Sequence, residues 1–233
     1  GRTGQEAMTT RTRRARLAGT RAALCGAAAV LAVAASGVAF ATAPGRERAA
    51  AAMVRIPAGS YLPLYAPPRA AAGGASGSRV RRERPVAEFI MDVYPVTNGQ
   101  YLEFVRVHPE WRRSRVKALF ADASYLRHWR GDLEPGDRAP ADSPVVYVSW
   151  FAARAYLRSH GRRLPTVDEW EYAAAASETV RDASRDAQFL GRIRDWYGRP
   201  TPEPIPPVGS GLRNVYGVGD LHGLIWEWTL DFN

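Results

Sequence analysis

The chain has 233 residues, a net charge of +9 and a hydrophobic fraction of 46%. This length and hydrophobic content are typical of a globular protein with one large domain or two small ones. Residues 1–43 carry six Arg and one Glu, which gives +5 of the +9, whereas the remaining residues are close to charge balance. Because the excess charge is concentrated at the N-terminus, we expect no nucleic-acid partner.

The N-terminal segment has the pattern of an export signal. Residues 9–21 are basic, and residues 22–43 contain no charged side chain and end in small residues. This order is typical of a secretory signal, through either the general or the twin-arginine route. We expect residues 1–43 to be an export segment and 44–52 a linker, which places the protein in the periplasm or outside the cell. The alternative is an uncleaved anchor at 22–43, which is long enough to span a bilayer and is the only membrane contact that we expect.

The single cysteine of the sequence, Cys25, lies inside this export segment. After signal cleavage the residues shown would contain no cysteine. They would then offer no disulfide, no thiolate metal site and no cysteine nucleophile.

The next elements are short strands and one capped helix. Residues 53–62 predict two strands separated by a Pro-Ala-Gly turn, and residues 85–94 predict another strand after a low-complexity loop. Thr97 and Gln100 form a capping-box pattern at the start of a helix.

Two further helices follow a predicted strand at Pro144–Val148. Ser149 is a suitable N-cap for a helix over Trp150–Ser159, with Gly161 just beyond its end. Thr166 and Glu169 form a second capping box. Residues 111–140 and 177–211 show no periodicity, so we predict an α+β fold with high loop content.

The segment from Asn214 to Asp231, NVYGVGDLHGLIWEWTLD, places Asp220 and Glu227 seven residues apart among glycines. Two carboxylates and inward-pointing carbonyl oxygens are the ligands that calcium requires. The alternative is an Asp in a turn and a Glu on a strand between two core-facing tryptophans, Trp226 and Trp228.

Isolated polar residues nearby have mainly structural interpretations. His222 either supports the proposed metal ligands or is a solvent-facing turn residue. Glu169 and Glu171 are two residues apart on a helix and point to different faces, so we interpret them as structural. We assign no catalytic residue and no organic-cofactor site.

Four long motifs occur in an order that resembles the formylglycine-generating enzyme family, also called sulfatase-modifying factors. They are MVRIPAGSY (53–61), DVYPVTNGQYLEFV (92–105), SPVVYVSWFAARAYLRSHGRRLPTVDEWEYAA (143–174) and NVYGVGDLHGLIWEW (214–228). The resemblance covers residues 53–233 and implies a compact fold related to C-type-lectin-like domains.

The resemblance also implies calcium sites. One site would use the side chain of Asp220, the backbone carbonyls of Gly223 and Ile225, and the carboxylate of Glu227. The family's other calcium site lies in the segment after EWEYAA. That segment diverges here, with only Trp196-Tyr197-Gly198 as a similar stretch, which puts the other site in doubt.

Enzymes of the family use two cysteines near the C-terminus that bind copper and activate oxygen, and they oxidise a client cysteine to formylglycine. The chain stops at Asn233 after a patterned segment, so we interpret the domain at 53–233 as incomplete at its C-terminus, without that pair. Other members lack the pair and act as accessory proteins. We therefore expect either an exported oxidase of a client protein or peptide in the full-length form, or a non-catalytic, calcium-stabilised binding or assembly factor for an exported redox enzyme. A lectin-like carbohydrate binder is a third alternative.

Overall fold

The computed structural model describes residues 52–63 and 82–231. The predicted export segment (1–43), residues 44–51 of the linker and residues 64–81 lie outside the described residues. The described strands are β1 Met53–Ile56, β2 Gly59–Tyr61, β3 Arg84–Val86 and β4 Phe89–Asp92. The described α-helices are α1 Asn98–Val107, α2 Trp150–Ser159, α3 Val167–Ala174 and α4 Ala187–Tyr197, and one 3-10 turn, Pro109–Trp111, follows α1.

The four strands form two antiparallel pairs. β1 pairs with β4 in a register that places Met53 opposite Asp92, and β2 pairs with β3. The single strand predicted over 85–94 is therefore divided into β3 and β4, with residues 87–88 unpaired. The interruption lies opposite Pro57, which has no backbone N–H to donate to a ladder.

The predicted helix starts are confirmed. Thr97 accepts a hydrogen bond from the backbone N–H of Gln100, whose side chain bonds back to Thr97, and Thr166 and Glu169 form the same reciprocal pair before α3. Ser149 caps α2. Gly161 has a φ of +67°, as expected for the residue after a helix end.

Two predictions in the middle of the chain are wrong. Residues 177–211 contain α4, which Asp186 caps by accepting from the backbone N–H groups of Gln188 and Phe189. Phe189 is the one buried residue of this helix, and Phe189, Ile193 and Trp196 recur at helical spacing, an apolar pattern that the sequence-based prediction missed. Pro144–Val148 is not a strand, because it makes only one isolated bridge to Thr97 and Tyr147 adopts a left-handed conformation.

Two apolar clusters form the core of the described part. The first surrounds α1 and α2 and includes Tyr101, Phe104 and Trp129. The second joins the strands to α3 and includes the loop residues Val218 and Leu221. With short helices, short strands and long ordered loops, the described residues form an α+β fold of high loop content, as predicted. None of the helices described is long and apolar enough to cross a membrane.

Candidate metal centre and adjoining cleft

Asp220 is a fully buried acidic residue at the centre of the candidate site. Because its neighbours Val218 and Leu221 pack into the second core cluster, the aspartate between them is buried as well. The backbone N–H groups of Gly209 and Gly211 donate to its two carboxylate oxygens at 2.5 and 2.7 Å. Burial raises the pKa of Asp220, and these two hydrogen bonds oppose the rise.

Glu227 lies near Asp220 and is held from another element. The indole Nε1 of Trp170, on α3, donates a 2.6 Å hydrogen bond to Glu227 Oε2. Burial of the carboxylate raises the pKa of Glu227 to about 7, and the charge of Asp220 adds to the rise. The structure therefore brings the two predicted carboxylates close enough to repel each other.

The chemistry of this site fits calcium. Neither carboxylate has an ion-pair partner within the described residues. No donor in the described part of the chain bonds to the carbonyl oxygens of Gly223 or Ile225. Carboxylate and carbonyl oxygens are ligands for a hard cation. Across residues 52–63 and 82–231 no three His, Cys, Asp or Glu side chains converge as metal ligands, so a cation here would need those carbonyls.

Copper does not fit the described residues. Copper(I) is suited to soft thiolate ligands, and the only cysteine of the sequence, Cys25, lies outside the described ranges. No step of a copper-dependent reaction can be assigned to the side chains that the structure describes.

His222 lies beside the site but does not face solvent, so the interpretation as a solvent-facing turn residue is wrong. Its Nε2 is 2.9 Å from the carbonyl oxygen of Ala174, and its ring packs edge-on against Trp170 and Phe189. Burial lowers the pKa of His222. The neutral ring supports the loop by joining it to the end of α3.

The tryptophans beside Glu227 are not core residues. Trp226 is 77% exposed and Trp228 is 38% exposed, and residues 225–229 do not form a strand. The alternative of a Glu on a strand between core-facing tryptophans is therefore wrong. Trp226 contacts Trp196 and Tyr197 at the end of α4, with ring centroids 6.3 and 5.0 Å apart.

Glu227 also lines a large cleft. The cleft has a volume of about 1270 Å³ and is bordered by residues from 118–128, 145–151, 196–205 and 224–229. Its wall is rich in aromatic side chains, among them Phe151, Trp196, Trp226 and Trp228. The candidate metal centre is therefore continuous with a surface that can receive a ligand.

Several residues of the site carry no recognisable sequence signal. Gly209 and Gly211 contribute backbone N–H groups, and Trp170 contributes an indole N–H from a helix 57 residues away from Glu227. These contacts depend on long-range packing. The Trp196-Tyr197-Gly198 stretch, noted as a similarity to another calcium site, ends α4 and borders the cleft.

Comparison with known proteins shows which family has similar sequences. Residues 39–233 match the sulfatase-modifying factor enzyme 1-like domain. The chain is 32% identical over 215 residues to the inactive C-alpha-formylglycine-generating enzyme 2 of Mus musculus, covering 76% of this chain and 68% of that protein. It is 33% identical over 190 residues to the formylglycine-generating enzyme of Mycobacterium tuberculosis, covering 62% of this chain and 64% of that protein. It is 32% identical over 171 residues to the hercynine oxygenase of Mycolicibacterium smegmatis, covering 63% of this chain and 39% of that protein.

Proposed function

The chain belongs to the formylglycine-generating enzyme family, with a sulfatase-modifying factor enzyme 1-like domain. From this premise we propose that it is a calcium-stabilised domain that binds a client polypeptide. The observation that carries the proposal is the Asp220–Glu227 pair, a buried and a half-buried carboxylate that repel each other and have no ion-pair partner within the described residues. A bound cation would remove that repulsion, and binding to the folded state alone stabilises it. The ligands would be these two carboxylates and the carbonyl oxygens of Gly223 and Ile225.

The cleft supports a polypeptide as the bound partner. Pockets for small molecules have volumes of about 300–1,000 Å³, whereas this cleft reaches about 1270 Å³. Trp226 is largely exposed beside it, and Phe151 is 47% exposed. Exposed aromatic side chains in one patch are typical of protein interaction sites. We therefore place a client segment against these aromatic residues.

Export forms part of the same proposal. The basic residues 9–21 followed by the uncharged residues 22–43 support it. Calcium sites of extracellular modules bind at about 10⁻⁴ to 10⁻³ M, so a modest site would suit an exported protein. That the client is an exported redox enzyme stays a prediction.

Oxidation of a client cysteine is the second candidate function. The identity to the formylglycine-generating enzyme of Mycobacterium tuberculosis favours it. The reaction would convert the CH₂–SH group of the client cysteine to an aldehyde, with the C–S bond broken, the sulfur released as hydrogen sulfide and two electrons passed to oxygen, and it would require copper held by thiolates. Residues 26–233 contain no cysteine, so this function would require thiolates that they do not supply.

Calcium binding is tested by titrating the chelator-treated protein with CaCl₂ in a calorimeter and by recording Tm. We expect one binding event and a rise in Tm with calcium, with a smaller rise for MgCl₂, because magnesium demands a stricter geometry. No heat of binding, together with an unchanged Tm at millimolar calcium, would contradict the proposal.

Client binding is tested with a displayed library of random peptides. We expect enrichment on the calcium-loaded protein and a loss of enrichment on Trp226→Ser, because this exposed ring can be removed without opening the core. Glu110→Gln, an exposed change outside the cleft, is the matched control. Equal enrichment on both variants would show that the peptides bind to a surface that does not include Trp226.

The oxidase candidate has its own assay. The protein is incubated with a cysteine-containing peptide, copper(I) and oxygen, and aldehyde is detected with a hydrazide reagent. Aldehyde formation above the level of a protein-free control would favour the second candidate over the first.

A further inference from the structure

The cleft also holds a group of charged and aromatic residues that the candidate metal centre does not explain. Its members, which we call the Arg127 cluster, are Arg127, His128, Arg138, Tyr147 and Glu203, and all of them line the cleft. They come from four separate stretches of the chain, at 127–128, 138, 147 and 203. Only the tertiary structure brings them together.

The backbone of this cluster is strained. Leu126 and Tyr147 have φ values of +48° and +57°, and the N–H of Leu126 donates to the carbonyl of Tyr147 at 2.9 Å. Non-glycine residues rarely adopt this conformation, and those that do concentrate at functional sites. The hydrogen bond joins the backbone just before Arg127 and His128 to the segment that carries Tyr147.

His128 adds a second unusual feature. Its side chain is only 9% exposed, it stacks on Tyr147 with ring centroids 4.6 Å apart, and its Nδ1 has no hydrogen-bond partner within the described residues. Buried polar atoms are normally paired, so an unpaired one calls for an explanation. The histidine thus packs against Tyr147 with one ring face, and its Nε2 lies 3.7 Å from Glu203 Oε1.

Arg127 and Arg138 are both exposed, but in the described part of the chain only Arg138 is paired with a carboxylate. Its guanidinium carbon lies 3.8 Å from the centroid of the Tyr147 ring, and an Nη group donates to the Tyr147 hydroxyl. No carboxylate within the described ranges forms an ion pair with Arg127. Stacking on a ring orients a guanidinium while leaving donors available.

The nearby carboxylates are already engaged. Glu203 accepts hydrogen bonds from Arg138, including one of 3.0 Å from Nε. Asp122, which also lines the cleft, accepts from the backbone N–H and the hydroxyl of Ser124 at 2.7 and 2.6 Å. With two arginines and one glutamate, the Arg127 cluster carries a net positive charge.

We propose that Arg127 is a recognition site for a carboxylate of the client polypeptide, an Asp or Glu side chain, while a neighbouring apolar residue of the client contacts Trp226. An arginine fork matches a carboxylate in a bidentate geometry. This inference rests on the proposed client-binding function and names the chemistry that the cleft selects. The acidic residue engages Arg127, and the aromatic wall at Trp196 and Trp226 receives the apolar one.

The experiment uses short synthetic peptides and the full protein loaded with calcium. Each peptide is acetylated and amidated, and it carries one Trp and one Glu separated by glycine spacers of increasing length. A matched set has Gln in place of Glu. Affinities are measured by isothermal titration at low and at high salt.

We expect at least one Glu peptide to bind about tenfold more tightly than its Gln partner, which corresponds to about 1.4 kcal/mol. The preference should fall at high salt, because exposed charges are screened. Arg127→Gln should abolish the preference, and Arg127→Lys should retain part of it. Arg115→Gln, an exposed arginine outside the cleft, should leave the preference unchanged.

Two outcomes would overturn the inference in different ways. If Glu and Gln peptides bind equally and Trp226→Ser weakens both, the client-binding cleft stands but the carboxylate site is wrong. If no peptide binds wild-type protein, the carboxylate site and the proposed client binding fail together. Retention of the Glu preference in Arg127→Gln would assign the selectivity to another residue.

Discussion

The indole N–H of Trp170 donates a 2.6 Å hydrogen bond to the carboxylate of Glu227, 57 residues later in the chain. This contact joins α3 to the loop that carries Asp220. Within the described residues Trp170 is the one donor to this half-buried carboxylate, and the nearby Asp220 charge adds to the rise in its pKa. Four predictions follow from the contacts of this loop and of the core that supports it.

Glu227→Gln should remove stabilisation by calcium. The substitution keeps the size of the side chain and deletes one of the two proposed carboxylate ligands, so calcium loses a charged oxygen. We expect the calcium-dependent rise in Tm to disappear, while Glu110→Gln, an exposed change, behaves as wild type. The same calcium-dependent rise in Glu227→Gln and in wild type would contradict the assignment.

The metal-free protein should lose stability as the pH rises from about 4.5 to about 7. The pKa of Glu227 is raised from 4.5 to about 7 in the folded state, so the folded state binds the proton more tightly than the unfolded state does. Ionisation of the half-buried group then destabilises the fold by at most about 3.5 kcal/mol, since one pKa unit is about 1.4 kcal/mol.

This pH dependence is measured by urea unfolding in chelator at several pH values. Glu227→Gln should flatten the profile between pH 4.5 and 7 relative to wild type, and saturating calcium should flatten it in wild type. A profile that is the same in wild type and variant would assign the slope to other groups.

Gly211→Ala should damage the Asp220 site. A Cβ atom at this position would lie 2.7 Å from Asp220 Oδ1, which forces the buried carboxylate or its loop to move. We expect a loss of about 2 kcal/mol in the free energy of unfolding, typical of overpacking, together with weaker calcium binding. Gly191→Ala is the control, because a Cβ there meets no atom within 4 Å and alanine favours the helix.

Asn98→Ala should destabilise the first core cluster. The buried Asn98 amide donates to the carbonyls of Pro140 and Ser143 and accepts from the indole N–H of Trp129. Removing it leaves buried groups unpaired, so we expect a loss of about 3 kcal/mol. Chemical denaturation measures this loss, and Gln188→Ala, an exposed change on α4, should stay close to wild type.

Local patterns predicted the helix starts correctly because each cap is completed within three residues. Thr97 with Gln100 and Thr166 with Glu169 satisfy the first N–H groups of their helices from their own segment. The same reasoning identified Asp220 and Glu227 as a pair, since glycines and carboxylates were visible side by side in the sequence.

Tertiary structure alone decided the features that depend on distant contacts. In α4, Phe189, Ile193 and Trp196 recur at helical spacing, but only the structure shows that Phe189 is the one buried residue of this helix. Trp226 resembles a core residue in the sequence, yet its ring lies against Trp196 and Tyr197 at the rim of a cleft. The sequence by itself therefore determined the family motifs, the capped helices and the candidate ligands. Packing across long sequence separations determined which of these groups are buried, charged or exposed, because solvation depends on neighbours that no local pattern specifies.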